Sequence, residues 1–401
     1  MPVGTWNTSQ IPQDLAEKSF SAAITRLMPN GGAPLFGLTA LLKEETAAQI
    51  EHGYFSKTMV FPYVTLSANV AIGDTIINVT TTANIVPGMV IRADSTNENI
   101  LVVAVMGPTQ LLVQRAFGTI AAQAVNSGVN LWMVGNAYEQ GSVRPQALSI
   151  SAVRIVNYTQ IFRNSWALTG TVQATQVIAG GTNVAESRQE CATFHAVDIE
   201  KALFFGQKFL GVRNGQPIST MDGLINTVQN AASGNITTLG ATTSYTQLIA
   251  ALDPVFQQNT DPANPNQRIL FCGGVARNVL HAIARLNSTY FVQQQETSWG
   301  LQYDTIKIPR GTFQIIEHPL FNAYGSTSTW AKMAVAVDLP TFNLAYMAGR
   351  KTMNQEYGVT GTPVDNGVDA VGGTLTTEVT NLVKNPAADA VLYNFTAGVA
   401  G

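Results

Sequence analysis

From residue 66 to residue 136 the apolar positions come in short β-branched runs, DTIINVT, MVIRA, NILVVAV, QLLVQRA and VNLWMV, and NIVPG, DSTNEN, MGPT and NSGVN fill the gaps between them. Runs of about 5–7 residues at this pitch, broken by Pro-Gly and Gly-Pro, predict a small β-barrel or sandwich inserted in the chain rather than one long sheet. The texture changes over 149–177, SISAVRIVNYTQIFRNSWALTGTVQATQV, where Ile155, Tyr158 and Ile161 stand among Asn, Thr, Gln and Arg. A strand with two semi-polar faces is a poor core element, and the pattern predicts an extended arm laid across another subunit.

Helical spacing is found elsewhere. In PLFGLTALLKEETAAQ, Leu35, Leu38, Leu41 and Leu42 predict a short core helix. The first 33 residues mix isolated apolar side chains with Pro, Gly, Asn and Ser, which predicts an arm with no fold of its own. The longest helix is predicted over 184–210, with Asn183 and Glu186 as a capping start and Gly211 as the stop. About 27 residues would make roughly 40 Å of helix. Cys191, Phe194, Ala202, Phe205 and Phe209 form one apolar stripe along it, and Ala192, His195, Ile199, Leu203 and Leu210 form a second, so it packs on more than one side. Beyond STMDGLINTV the pattern is mixed. Ser244 with Gln247 predicts a capping box for YTQLIAALDPVFQQ. RILFC, Gly273-Gly274 and VARNVLHAIARL read as strand, turn and helix, with Val275, Val279, Ile283 and Leu286 on one face, and TIKI, TFQIIEH, KMAVAVD and FNLAYMA read as further strands.

Composition narrows what such a chain does. At 401 residues a substantial core in two to four lobes is available. Charged residues are only 12%, about half the usual ~25%, which suits a protein that hides its faces against neighbours. A net charge of −3 excludes a strongly basic protein that wraps nucleic acid. Cys191 and Cys272 lie far apart without a CxxC, so neither a disulfide framework nor a zinc knuckle is indicated, and both are expected to stay reduced. MPVGTWNTSQIPQ has no basic segment followed by an apolar run, and ILVVAVM at 100–106 is far short of a membrane span. The expectation is a soluble, unexported protein, in which Asn78-Val79-Thr80 carries no glycosylation meaning.

Candidate chemistry is sparse. Of the four histidines, His52 and His318 each follow a glutamate, Glu51 and Glu317. Adjacent residues diverge on a strand or helix, so neither pair converges on one substrate atom, and both read as surface or interface groups. His195 reads as a hydrogen-bonded core histidine. The segment RAFGTIAAQAV, 115–125, lacks the glycines and lysine of a phosphate loop, and Gly273-Gly274 lacks a GxGxxG or GK[ST] context, so each reads as a connection. VDNGVD, 364–369, lacks the spacing and terminal Glu of a calcium loop. No GxSxG, HExxH or His-x-His occurs. No catalytic, cofactor-binding or metal-binding residue is assigned, and no enzyme activity is expected.

The order of the segments PLFGLTALLKEETAAQIEHGYFSKTMVFP, LLVQRAFGTIAAQAV, NYTQIFRNSWALTGTV, ESRQECATFHAVDIEKALFFGQK and TMDGLINTV resembles the major capsid proteins of tailed bacteriophages, which share the Hong Kong ninety-seven fold, in a subgroup with a β insertion. The resemblance covers about residues 34–230. It implies an α+β fold with an N-terminal arm and short helix at 1–48 and an extended loop at 49–165 that carries the β insertion, 66–136. It further implies a peripheral domain from 166–216 and 341–401 with the spine helix 184–210, and an axial domain at 217–340. Hexamers and pentamers closing into an icosahedral shell around double-stranded DNA are the implied function. Portal, scaffolding and decoration proteins are implied partners, packaged DNA at the inner face is held without sequence preference, and no membrane is involved. Assembly would take place in the host bacterial cytoplasm. Some relatives crosslink a Lys to a neighbour's Asn. Lys57 lies in the extended-loop region, but nothing in the sequence identifies a partner for it. A tail protein, a nanocompartment shell, or a hydrolase with a β accessory module are the competing readings.

Overall fold

The strand Ala370–Val383 organises one of the two large sheets in the larger part of the chain, seen in a computed structural model that describes residues 32–39, 42, 44–57, 61–145, 147, 149, 151–175, 183–257, 266–286, 293–298, 301–359 and 369–399. It pairs antiparallel with Gln160–Thr169 along ten residues, and also with Phe342–Met347 and Met353–Tyr357. Glu45–Ala47 adds a parallel strand beside Phe342–Met347, making five strands in all. The reading of 149–177 as an arm laid on another subunit is therefore corrected for Gln160–Thr169. Phe162 and Trp166 fall on one face of Gln160–Thr169 and are buried, while Ile161, Arg163 and Ser165 point the other way. The period of two supplies the apolar face that makes this strand part of its own chain's sheet.

Against that apolar face lies the helix Asn183–Phe205, 23 residues and about 35 Å long. It is shorter than the predicted 184–210, and the residue that ends it is Gly206 rather than Gly211. Gly206 still donates its N–H to Ala202 O, but its own carbonyl accepts from Gly223 N–H, and a Cβ on Gly206 would sit 2.6 Å from both Ala202 O and Met221 O. No other residue allows so close a crossing. The chain then makes a two-stranded hairpin, Phe209–Arg213 with Gln216–Thr220, turning at Asn214 and Gly215, both at positive φ. That pair of φ values is what the tight turn of a right-twisted hairpin requires. The buried side of the helix also differs from the predicted stripes: Cys191, His195, Val197, Ile199, Leu203 and Phe204 face inward, whereas Phe194 is exposed. The predicted helix at 34 runs over Pro34–Thr39 among the described residues, with Leu35 in the core, and Leu41 lies outside them.

The second sheet has seven strands in the order Ile236–Thr238, Ala390–Tyr393, Ala334–Val337, Gln267–Cys272, Gly311–Glu317, Leu301–Ile308 and Gln293–Ser298. Its inner strands are apolar on both faces, as strands covered on both sides must be. Ile269, Phe271, Val335 and Val337 join one core with Leu203 and Phe204 of the long helix. Leu270, Cys272, Ala334 and Ala336 join the other, under helices Tyr245–Leu252 and Gly274–Leu286. The first of these helices begins at the predicted capping box, with both Ser244–Gln247 hydrogen bonds present. Residues 341–401 do not stay within one domain as predicted. Ala390–Tyr393 crosses into the seven-stranded sheet, where its continuous apolar run AVLY suits an inner strand between Ile236–Thr238 and Ala334–Val337, and Gly398–Val399 pairs with Thr243–Ser244.

Residues 55–154 form a separate compact unit. Its sheet runs Tyr63–Thr65, Asn130–Asn136, Met89–Ala93, Asn99–Gly107, Gln110–Gln114 and Ile76–Asn78, all antiparallel, so it begins ahead of residue 66. The two outer strands meet through the Leu66–Val79 bridge, flanked by Ser67 N–H to Asn78 O and Thr80 N–H to Thr65 O. The sheet thereby closes on itself and leaves no long open edge. Val64, Ile77, Ile91, Ile100, Leu111 and Leu131 fill its core.

Candidate contact surface and buried polar anchors

The two Glu-His pairs separate. Glu317 reaches Arg277 at 2.8 Å, while His318, on the opposite side of the strand end, is fully buried against Glu200 of the long helix. The surface reading of the second pair is thus corrected for His318. Nδ1 of His318 accepts the Leu320 N–H at 3.2 Å, so its Nε2 carries the proton and donates to Glu200 Oε1 at 2.7 Å. The Glu200 carboxylate also accepts Leu35 N–H at 2.8 Å and Phe36 N–H at 2.7 Å. Three donors converge on one buried anion, which is what offsets the cost of taking it out of water. The result is a clamp that fixes the helix Pro34–Thr39 to the body, with Phe204 edge-on to the His318 ring and Phe321 stacked on it. His52 lies 3.5 Å from Glu45 rather than bonding its neighbour Glu51. Burial works against ionisation of Glu45, but hydrogen bonds from Lys384 and Asn343 outweigh it and hold the carboxyl below its ordinary range.

His195 is buried between Asn164 Oδ1 and Thr377 Oγ1, each at 2.7 Å, which ties the helix to the five-stranded sheet. Burial pushes its imidazole below the ordinary value, against the opposing pull of Asp198, and so favours the uncharged ring. His281 meets Asp304 at 3.0 Å, and Arg277 bridges Asp304 and Glu317, so the two acids are held apart by a cation. At Gly273-Gly274 the place an incoming phosphate would take is filled by the protein. Gly274 N–H donates to Asn322 Oδ1 at 2.7 Å, and a Cβ on Gly273 would lie 2.4 Å from Ala331 O.

The 115–125 connection is held by a second buried anion, Glu98, which takes a two-pronged contact from Arg115 and the N–H groups of Ala116 and Gln123. Cys191 and Cys272 are both free thiols, and burial pushes each of them up. A third buried cluster places Arg268 against Asp338, whose N–H donates to Asp389, a carboxyl that burial pushes well above its usual range. Among the described residues no group of three or more His, Cys, Asp or Glu is placed to hold a metal, and no helix is long and apolar enough to cross a membrane. Most of VDNGVD and the first 31 residues lie outside the described residues.

What remains uncovered is apolar surface. The hairpin after the long helix exposes Phe209, Leu210 and Val212, and the helix itself exposes Phe194. Sequence reasoning missed both this surface and the Glu200 clamp. The signal for the clamp is an acid at the spacing of the buried stripe, Val197, Glu200, Phe204; the signal for the hairpin is Asn214-Gly215 between FLGVR and QPIST.

Comparison with known proteins adds to this geometry. Residues 3–396 match the SU10 major capsid protein family. A major capsid protein of Pseudomonas phage PaMx41 is 38% identical over 400 residues, covering 97% of this chain and 95% of that one. Solved structures similar to it include that of Mycobacterium phage Adephagia, at 10% identity with 99% of each chain covered and a TM-score of 0.46. The capsid of a native GTA particle follows at 9% identity, 96% and 97% coverage and 0.44. The holo-SrpI encapsulin complex from Synechococcus elongatus covers 61% of this chain and 77% of that one, at 9% identity and 0.42.

Proposed function

The chain belongs to the SU10 major capsid protein family, and from that membership we propose that its copies assemble as hexamers and pentamers into an icosahedral shell around the double-stranded DNA of a tailed phage. The chain is a phage capsid subunit and a component of the virion. The observation that carries this is 38% identity to a phage major capsid protein along nearly the whole of both chains.

On this reading residues 1–48 are an arm and short helix and 49–165 form an extended loop that carries the closed six-stranded sheet, except that Glu45–Ala47 and the loop's last residues from Gln160 on are strands of the five-stranded sheet. The five-stranded sheet with the long helix is the peripheral domain, and the seven-stranded sheet gathers around the five-fold and six-fold centres. The inner face meets packaged DNA without reading its sequence. Portal, scaffolding and decoration proteins are its further partners, and assembly takes place in the host cytoplasm. The buried histidines and acids hold segments in place and have no catalytic part. No observation favours a tail, nanocompartment or hydrolase reading.

Sedimentation velocity and electron microscopy of the purified protein at rising concentration test this. Rings, sheets or shells are expected. A homogeneous monomer at every concentration, even with the phage's other head proteins supplied, would overturn it.

A further inference from the structure

The hairpin Phe209–Thr220 reverses the usual placement of apolar side chains. Phe209, Leu210 and Val212 are 57%, 53% and 74% exposed. Leu210 and Val212 point to one face and Phe209 to the other, so no single apolar side is turned toward the body. A two-stranded ladder of this kind is marginal in water without something packed on it. At the tip of the strand Arg213 is exposed and has no ion pair among the described residues.

A surface of opposite character runs along the outside of the long helix. Glu190, Phe194 and Asp198 follow one another at intervals of four, which puts them on one stripe. Phe194 is 59% exposed and stands between two acids. Glu190 is exposed, and the Asp198 carboxylate is about half exposed, with Asn164 Nδ2 at 2.9 Å and Lys201 at 3.9 Å on one side of it. An apolar centre flanked by acids faces solvent, while an apolar hairpin tipped with a cation faces solvent elsewhere on the same chain. The two do not cover each other within one copy, since both stay exposed.

We propose that the hairpin of one copy docks on the outward stripe of the long helix of a second copy, through the face that carries Phe209 and Arg213, with Phe209 on Phe194 and Arg213 beside Glu190. The occupant is a second copy because the two patches complement each other in charge and in apolar content. They are different patches, so the contact is head-to-tail, and repeated with a fixed rotation it closes a ring. The inference rests on the capsid reading and names one of its interfaces.

The test is a charge exchange in the full-length chain, read by sedimentation and microscopy beside the unaltered protein. Arg213→Glu alone and Glu190→Arg alone each set like charges face to face, which should raise the concentration needed for assembly by roughly tenfold or more. The double variant should return it toward the unaltered value. Denaturant midpoints of all three should match the unaltered chain, because neither side chain lies in a core. An unaltered chain that assembles while the single variants assemble equally well would overturn this contact and leave the capsid reading standing. So would single variants that fail without rescue in the double. An unaltered chain that never assembles would overturn both.

Discussion

The seven-stranded sheet and the hairpin at 209–220 use similar side chains to opposite ends. In the sheet Phe271, Val335 and Val337 vanish into one core and Leu270 and Ala336 into the other. In the hairpin, Phe209, Leu210 and Val212 stay in solvent on both faces. The sheet is folded by its own chain. The hairpin is held in register by its turn and tied to the body through Ser219 Oγ, which donates to Thr159 O, and its exposed apolar area becomes useful only when something else packs on it. Folding energy and assembly energy therefore reside in different residues, and substitutions can separate them.

Phe271→Ala should show the largest effect on folding, about 3–5 kcal/mol lost, because the site is sealed and cannot collapse around the cavity. Chemical denaturation of the dissociated subunit measures it, and a loss below about 1 kcal/mol would blur the contrast. Glu200→Gln should cost about 1–3 kcal/mol, since an amide presents an N–H where the carboxylate accepts donors from Leu35, Phe36 and His318. Hydrogen exchange at the Leu35 and Phe36 amides should quicken more than at Phe271. Ser244→Ala removes one side of the capping box and should cost about 1 kcal/mol, seen as an earlier denaturant midpoint with an unchanged slope. Smallest for folding is the pair Phe209→Ser with Val212→Ser, expected within about 0.5 kcal/mol by the same denaturation. The same pair should all but abolish particles in microscopy. If instead it unfolds the subunit, the hairpin belongs to the core and the contrast fails.

The parts of the fold that were legible in the sequence are those in which local pattern and local partner coincide. MVIRA, NILVVAV and QLLVQ alternate or bury continuously and pair with neighbours a short turn away, and Ser244 finds Gln247 within one turn. The misreadings share a cause. Gln160–Thr169 has half-polar faces, and only its partner some 210 residues on shows that Phe162 and Trp166 belong to a core. Gly206 stops the helix because Met221 and Gly223 cross it, whereas Gly211 offered the more familiar stop signal. Reading the helix through to Gly211 hid the Asn214-Gly215 turn. The Glu200 clamp gathers groups from residues 35, 36, 200 and 318, and no periodicity joins them.

The place of Ala390–Tyr393 in the seven-stranded sheet also sets a clock on biosynthesis. Ile236–Thr238 has that late strand as its neighbour in the sheet, and Ala334–Val337 needs it on one side. About 150 residues must be translated after Thr238 before its partner exists, roughly 8–30 s at ~5–20 residues per second. Until then a nascent chain on the ribosome keeps an unfinished edge. A chain that stops before Ala390 lacks this strand and leaves Ile236–Thr238 without its neighbour in the sheet.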